Sequence, residues 1–284
     1  MRWTVALVLC VFACRRSDPA HEADVEAWRK GRIERLKAPI GWLSLAGLHW
    51  LREGAQTAGS AEGNDVRLAP TAPPRLGTFD LRGETVKFTA AAEVSHDGAK
   101  VTEIVLQHAG KPTALTFGTF NLIVIKRGAR FALRVRDAES KARREFRGID
   151  SWPVDGRWRV TARFEPFAAR TQIPVPTVLG TVEMMDSPGV VVFSLAGKEL
   201  RLQPVLEEGE DLFFIFADET TGKDSYGAGR FLYAAPAREG KTVLDFNKAY
   251  NPPCAFTPYA TCPLAPAQNK LAVAVRAGEK NYGH

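Results

Sequence analysis

The sequence predicts a mainly β protein: an antiparallel barrel or sandwich of many short strands, preceded by one N-terminal amphipathic helix. Three observations support this. Apolar and polar residues alternate over many segments of four to eight residues, Gly, Pro and Asn separate these segments, and helical spacing of apolar residues is confined to one segment near the N-terminus. The composition, with 45% hydrophobic and 25% charged residues, is ordinary for a globular protein.

The first thirteen residues are typical of a secretory signal peptide. Arg2 precedes an uncharged run from Trp3 to Ala13, which is shorter than the roughly 20 apolar residues that a membrane-spanning helix needs. The end of this run, Val11-Phe12-Ala13-Cys14, resembles the lipobox of bacterial lipoproteins. The resemblance implies cleavage before Cys14 and a lipid on its sulfur.

These features predict three parts of the chain: a signal peptide (residues 1–13), a polar lipidated tether (14–23) and a single β-rich domain (24–284). The lipid on Cys14 would attach the protein to a membrane of the bacterial cell envelope, where it would face the periplasm or the exterior. In an oxidising compartment of this kind, disulfides are permitted.

The predicted helix covers Asp24–Lys37 and ends near Pro39 and Gly41. Its apolar residues recur at helical spacings among many charged ones; they are Val25, Trp28, Ile33 and Leu36. The predicted strands include Thr85–Thr89, Val101–Gln107, Leu122–Lys126, Phe131–Val135, Trp158–Phe164, Val190–Leu195 and Leu212–Phe216. The segment Ile125–Arg130, "IKRGAR", is typical of a hairpin turn between two of them.

Four stretches of the chain carry a family resemblance. They are "GWLSLAGLHWLREG" (Gly41–Gly54), "LRVRD" with "EFRGID" (within Leu133–Asp150), "DETTGKDSYGAGRFL" (Asp218–Leu232) and "DFNKAYNPPCAFTPYATCPLAP" (Asp245–Pro266) with "AGEK" (Ala277–Lys280). Together they resemble a bacterial and archaeal family known as domain of unknown function 1684. The resemblance covers nearly the whole chain after the signal peptide, and it implies no established activity.

The segment Asn251–Pro263, here called the proline loop, contains four prolines, two cysteines and no charged residue. Proline fixes φ and lacks a backbone donor, so this segment cannot be a central strand. We expect an ordered loop in which Phe256 and Tyr259 are either packed or presented. Cys254 and Cys262 then have three interpretations: a disulfide, a pair of buried thiols, or a site in which Cys254 is a nucleophile.

A nucleophilic cysteine needs a base, and His49 is the only histidine within the family stretches. Asp245 or Asn247 could orient that histidine, as in other Cys–His sites. The spacing between Cys254 and Cys262 is unlike that of zinc ligands, and the sequence shows neither another metal-binding pattern nor a cofactor motif. We therefore expect no metal and no cofactor.

The segment Asp218–Arg230, here called the glycine loop, joins two apolar segments. Its glycines allow backbone conformations that other residues resist, and Asp218, Tyr226 and Arg230 supply polar groups. Its glycine spacing differs from that of a phosphate-binding P-loop. Either it is a hairpin with a decorated turn, or it forms part of a binding site.

Positive charge is concentrated between Lys126 and Arg147, a segment that contains nine basic and three acidic residues. The whole chain carries a net charge of +6. In strand 131–135, Arg134 and the flanking Arg136 alternate with apolar residues, and Arg157, Arg159 and Arg163 do the same around Trp158–Phe164. If these strands were neighbours, their guanidiniums would share one face. That face is either solvated or an anion site for carboxylate, phosphate or a glycan.

Two functional hypotheses follow. The first is a binding protein for a small or anionic ligand, with Arg134, Arg136, Asp218, Tyr226, Arg230, Asn247 and Tyr259 as ligand-binding candidates. The second is a hydrolase with His49, Asp245 and Cys254 as catalytic candidates. Nucleic acid is not expected, because the aromatic residues lie on the opposite face from the arginines. We expect the proline loop, the glycine loop and Gly41–Leu51 to converge on one region.

Overall fold

The computed structural model describes residues 18–207 and 209–282. The predicted signal peptide and Cys14 lie outside these residues. The described part of the chain is mainly β with one long N-terminal helix, so the predicted fold class is confirmed. None of the helices described there is long and apolar enough to cross a membrane.

Helix α1 covers Pro19–Lys37 and so begins five residues before the predicted start. The side chain of Asp18 accepts a hydrogen bond from the amide of Ala20 at 3.0 Å, and Pro19 occupies the first turn, where its missing N–H costs nothing. The sequence analysis missed this cap because the apolar spacing begins only at Val25. The buried face of α1 consists of His21, Val25, Arg32 and Leu36.

The strands follow in chain order: β1 (Leu45–Trp50), β2 (Gly54–Gly59), β3 (Val66–Arg67), β4 (Gly77–Arg82), β5 (Thr85–Ala90), β6 (Ser95–His96), β7 (Ala99–Lys100), β8 (Glu103–Leu106), β9 (Leu115–Phe117), β10 (Phe120–Arg127), β11 (Arg130–Asp137), β12 (Arg159–Pro176), β13 (Val182–Leu195), β14 (Lys198–Leu202), β15 (Val205–Leu206), β16 (Leu212–Phe216), β17 (Arg230–Ala234) and β18 (Lys241–Asp245). A short helix α2 (Lys141–Arg144) follows β11. As predicted, a turn with Gly128 at φ +56° joins β10 to β11.

Four sheets form from these strands, with the orders β1-β11-β10-β9-β6-β7, β3-β2-β4-β5-β8, β14-β13-β12-β18 and β15-β16-β17. Every pairing is antiparallel except the short one between β2 and β3. Within the described residues none of the sheets closes on itself. The barrel alternative is therefore wrong, and the open sheets fit a sandwich.

Side chains from the first two sheets form one hydrophobic cluster, which includes Phe79, Phe88 and Leu133. The later strands form two more, and β16 lies between them. Its residues Phe214 and Phe216 belong to one cluster, whereas Phe213 and Ile215 belong to the other. Burial on both faces explains why β16 is a continuous apolar run instead of an alternating strand.

The two arginine-bearing strands lie in different sheets, so their guanidiniums do not share one face. The alternation itself is observed. In β11, Leu133 and Val135 belong to the first hydrophobic cluster. However, Arg134 is only 5% exposed. The expectation of a solvated face is wrong at this position, because residues distant in the sequence cover it.

We predict that Gly278→Ala destabilises the protein more than Gly98→Ala does. Both glycines have positive φ, +77° and +81°, where an L-residue costs about 1–2 kcal/mol. A Cβ at Gly278 would also lie 2.3 Å from the carbonyl oxygen of Ala249, whereas at Gly98 it would meet open space. Chemical denaturation of both variants measures the difference; equal losses would show that the contact at Gly278 is unimportant.

Candidate functional site

A cavity of about 520 Å³ lies between α1 and the sheet residues that face it. This volume is in the range of small-molecule sites. Here called the aromatic–cationic cavity, it is lined by Trp28, Arg32, Arg35, Ile40, Gly41, Trp42, Arg136, Glu207, Phe213, Phe231, Tyr233, Lys248, Tyr250 and Pro253. The lining includes residues of α1, of β11, of β16 and β17, and of the segment that enters the proline loop.

The charges around this cavity are unequal. Four cationic side chains line it, against the single carboxylate of Glu207. Two of the cations have carboxylate partners: Arg32 pairs with Glu279, and Lys248 pairs with Asp24. The other two, Arg35 and Arg136, have no carboxylate partner among the described residues.

Aromatic rings form one wall of the cavity. The rings of Phe213 and Tyr233 are stacked with centroids 4.7 Å apart, and Tyr233 and Tyr250 are nearly parallel at 6.3 Å. Burial raises the pKa of the Tyr250 phenol, and the nearby Arg32 opposes that rise. Burial also raises the pKa of Tyr233, which donates a hydrogen bond to Glu207. Both phenols are therefore neutral donors at physiological pH.

Arg32 holds α1 against the C-terminal part of the chain. Its Nε donates to Glu279 at 3.2 Å, its Nη2 donates to the carbonyl of Asn251 at 2.8 Å, and its guanidinium lies 4.6 Å from the centroid of Tyr250. Glu279 also accepts the amide of Asn251 at 2.7 Å. Burial raises the pKa of Glu279, whereas Arg32 lowers it. The pair orders the cavity wall instead of being free to bind a ligand.

The ligand-binding candidates Asp218 and Arg230 form a completely buried ion pair at 2.5 Å, with side chains 0% and 1% exposed. The guanidinium of Arg230 also donates to the carbonyls of Val275, at 2.8 Å, and of Ala277. All these contacts are internal. These contacts make the pair part of the folded framework, and a ligand-binding role for the two residues stays a prediction.

Local hydrogen bonds shape the glycine loop. Asp218 accepts from the amide of Thr220 at 2.7 Å, and the hydroxyls of Thr220 and Ser225 lie 2.8 Å apart. At Gly229, φ is +88° and a Cβ would lie 2.5 Å from the carbonyl oxygen of Phe216. Of the two interpretations of this loop, the structure favours the decorated turn.

Asp245 and Asn247 do not orient His49. The carboxylate of Asp245 contacts the Nε2 of His21 at 2.7 Å, and its other oxygen accepts two hydrogen bonds from Asn247. Asn247 is fully buried and also exchanges hydrogen bonds with the backbone of Asp155. These residues join α1 to the end of β18, and a ligand-binding role for Asn247 stays a prediction.

His49 lies in β1, paired with Leu133, and its Nε2 turns back over Gly47. Burial lowers its pKa. In the described part of the chain, it has no hydrogen-bond partner. His49, Asp245 and Cys254 thus occupy three separate environments, so this trio does not form the predicted catalytic arrangement.

The two cysteines of the proline loop are adjacent. Both are free thiols, and the backbone amide of Cys254 donates to the Sγ of Cys262 at 3.2 Å. Cys254 is partly exposed and Cys262 is buried. The hydroxyl of Tyr226 donates to the carbonyl of Cys254 at 3.0 Å, which joins the glycine loop to the proline loop. A disulfide between these cysteines remains a prediction for oxidised protein.

Arg134 lies beneath the proline loop. Its Nη2 lies 3.5 Å from the hydroxyl of Thr261, which also accepts from Arg127 at 3.0 Å. Its Nε is buried without a hydrogen-bond partner, and no carboxylate pairs with it in the described ranges. Burial, together with neighbouring Arg127 and Arg136, lowers the pKa of Arg134 to about 10.

The remaining candidate, Tyr259, is 36% exposed and lies at a second, shallower hollow of about 1000 Å³. That hollow separates α2 from the end of the proline loop, and its rim carries carboxylates as well as bases. The charged residues there are Glu93, Asp137, Glu139, Lys141 and Arg144. The rim has no excess of positive charge.

The proline loop, the glycine loop and Gly41–Leu51 do converge on one region. Leu45, Cys262 and Phe231 belong to one hydrophobic cluster, against which Trp42 and Cys254 pack. Tyr226 completes the contact through its bond to Cys254. The proline loop is thus ordered because it packs on the apolar residues Leu45, of Gly41–Leu51, and Phe231, directly after the glycine loop.

Sequence reasoning missed the contribution of α1 to the cavity, above all Arg32. One signal was present: Arg32 lies four residues after Trp28 and four before Leu36, on the apolar face of the helix. A charged residue at such a position indicates a buried partner. Its partner, Glu279, is 247 residues away in the sequence.

The fold and the site thus define a mainly β protein with an aromatic–cationic cavity beneath its N-terminal helix. The model of a family described as protein of unknown function (DUF1684) matches residues 144–280. The chain belongs to this family.

Among solved structures, an uncharacterized protein of Haloarcula marismortui, determined by solution NMR, is 31% identical; the match covers 50% of this chain and 81% of that one, with a TM-score of 0.42. Two structures of FHA domains, one from a study of phosphothreonine-dependent interactions, are 18% identical over 31% of this chain. The match covers 92% of one FHA chain and 97% of the other, each with a TM-score of 0.23. These FHA likenesses are too weak to indicate a shared function. No curated protein matches the chain.

We predict that Arg230→Met lowers the free energy of unfolding by about 3–5 kcal/mol, because it leaves the buried carboxylate of Asp218 without its partner. The control is Lys87→Met, which breaks an exposed pair with Glu103 and should cost at most about 1 kcal/mol. Urea unfolding measures both. Similar values for the two variants would show that Arg230 is not essential to the framework.

Proposed function

We propose that this protein binds a small anionic ligand with an aromatic or otherwise apolar body in the aromatic–cationic cavity. The observation that carries this proposal is an aromatic wall in the same cavity as two cations, Arg35 and Arg136, that have no carboxylate partner within residues 18–207 and 209–282. Arginine binds carboxylate and phosphate groups through its planar fork of donors.

The position of Arg136 supports a binding role. It lies near the end of β11, where Nη1 donates a hydrogen bond at 3.3 Å to Asn121 on the neighbouring strand β10. Burial lowers the pKa of Arg136, so its surroundings desolvate the guanidinium. A desolvated cation without a counter-charge gains more from an incoming anion than a solvated one does.

The aromatic wall gives the ligand its second property. Phe213, Tyr233 and Tyr250 offer flat apolar surfaces, and the neutral phenol of Tyr250 can donate a hydrogen bond. Glu207 would accept a donor of the ligand at the rim. A ring that bears one acidic group fits these surroundings better than a purely polar anion does.

We predict that Arg136→Gln weakens binding of the fluorescent aromatic anion anilinonaphthalene sulfonate by about tenfold, because a hydrogen bond to a charged group contributes about 1.5–3 kcal/mol. Binding of the uncharged N-phenylnaphthylamine, which has the same aromatic body, should be unchanged. Fluorescence titration of folded protein measures both.

The matched control is Arg163→Gln, an exposed arginine of β12 in a different sheet, which should bind both probes as the wild type does. Wild-type protein that binds neither probe, or a sulfonate affinity that Arg136→Gln leaves unchanged, would contradict the proposal.

We further propose that the protein is a cell-envelope lipoprotein, on the strength of the sequence that ends in Cys14. The expected result is a diacylated or triacylated N-terminal Cys14 in the membrane fraction of bacteria that express the full chain, detected by mass spectrometry. In the Cys14→Ser control the lipid should be absent. A mature protein that begins at another residue, without lipid, would contradict this proposal.

A further inference from the structure

We propose that Cys254 and Cys262 form a reactive thiol pair that reduces hydroperoxides, with Cys254 as the attacking thiol and Cys262 as the resolving one. Arg134 acts as a positioning residue beside Cys262 that favours the thiolate form of this resolving sulfur. This proposal is independent of ligand binding in the aromatic–cationic cavity.

The first support is the placement of the two sulfurs. The amide of Cys254 donates to the Sγ of Cys262 at 3.2 Å, across a loop whose prolines restrict its backbone. The 3₁₀ turn Pro253–Ala255 fixes the backbone around Cys254. The thiols are therefore held next to each other before any reaction, which makes formation of the disulfide intramolecular and fast.

The second support is the electropositive surrounding. Arg134 is only 5% exposed and has no carboxylate partner among the described residues, and its neighbour on the sheet, Arg127, contacts Thr261, the residue before Cys262. A buried guanidinium without a counter-charge is unfavourable, and a thiolate beside it would supply that charge. The charge of Arg134 acts on Cys262, whose pKa it lowers against the larger effects of the hydrogen bond with Cys254 and of burial, so Arg134 lies beside the resolving sulfur.

The third support is the asymmetry of the pair. Cys254 is partly exposed, so a small oxidant can reach it, whereas Cys262 is 4% exposed. A hydrogen bond with the thiol of Cys262 lowers the pKa of Cys254, and burial opposes it less strongly. The same hydrogen bond and burial raise the pKa of Cys262. The pair thus loses its first proton from Cys254 and keeps its second on Cys262.

The reaction balances as follows. The Cys254 thiolate attacks the terminal peroxide oxygen; the O–O bond breaks, the alcohol or water leaves with one proton, and Cys254 becomes a sulfenic acid. The Cys262 sulfur then attacks the sulfenic sulfur, forms the disulfide and releases water. Two thiols lose two electrons, and the hydroperoxide gains them.

Hydrogen peroxide is the probe for the test. Folded, reduced protein should lose both thiols and yield a peptide linked through Cys254 and Cys262, with a pH–rate midpoint below the thiol pKa of free cysteine, about 8.5. Cys262→Ala should stop at a sulfenic acid on Cys254 that dimedone traps. In Cys254→Ala, the buried Cys262 should react much more slowly than the wild type.

Arg134→Gln should leave formation of the sulfenic acid on Cys254 unchanged and slow formation of the disulfide by roughly tenfold for each unit by which the pKa of Cys262 rises. Arg134→Lys retains the charge and should restore most of the rate, while Arg163→Gln serves as the distant control. If Arg134→Gln does not fold, the pH profile of the wild type and the two cysteine variants still test whether the thiol pair reduces hydroperoxide.

Native thiols that do not react, or a midpoint at or above that of free cysteine, would overturn the proposal. Folded Arg134→Gln protein that forms the disulfide at the wild-type rate would overturn the role of Arg134. Because the assay contains no ligand, a failure here is distinguishable from a failure of probe binding in the cavity.

Discussion

The buried guanidinium of Arg230 is the contact on which the site depends. Arg230 is the first residue of β17. Its guanidinium neutralises Asp218 of the glycine loop and donates hydrogen bonds to carbonyls of the C-terminal segment 275–277. That segment has no regular strand hydrogen bonding of its own, so these bonds hold it in place. The next residue, Gly278, has a positive φ, and after this turn the carboxylate of Glu279 pairs with Arg32. This ion pair holds α1 over the cavity.

The buried arginines therefore fall into two groups, those with an acidic partner and those without one. Arg230 and Arg32 are buried with acidic partners, which offsets the cost of their desolvation. Arg134 and Arg136 are desolvated without such partners in the described part of the chain. The first pair explains how the fold is held together. The second pair marks the places where an anion, either a ligand or a thiolate, would complete the electrostatics.

Local patterns predicted much of the fold. The alternation in β11 placed Leu133 and Val135 on the core side, and the apolar run of β16 has the predicted bounds, because side-chain direction in a strand depends only on its period of two. The start of α1 was missed because Asp18 and Pro19 act through capping, before the apolar spacing begins. Whether the arginines of β11 and β12 share one face could not be read from the sequence, since strand order depends on pairings between distant segments; the two strands lie in different sheets.

By itself, the sequence determined the fold class, the one long helix, the family, the rigidity of the proline loop and the proximity of its two cysteines. Each of these follows from residues that are neighbours in the chain. Only the tertiary structure decided that Asp245 pairs with His21, that Arg32 pairs with Glu279, and that Arg134 lies beneath the proline loop. These partners are separated by more than a hundred residues, and a charged side chain carries no local sign of which distant partner will share its burial.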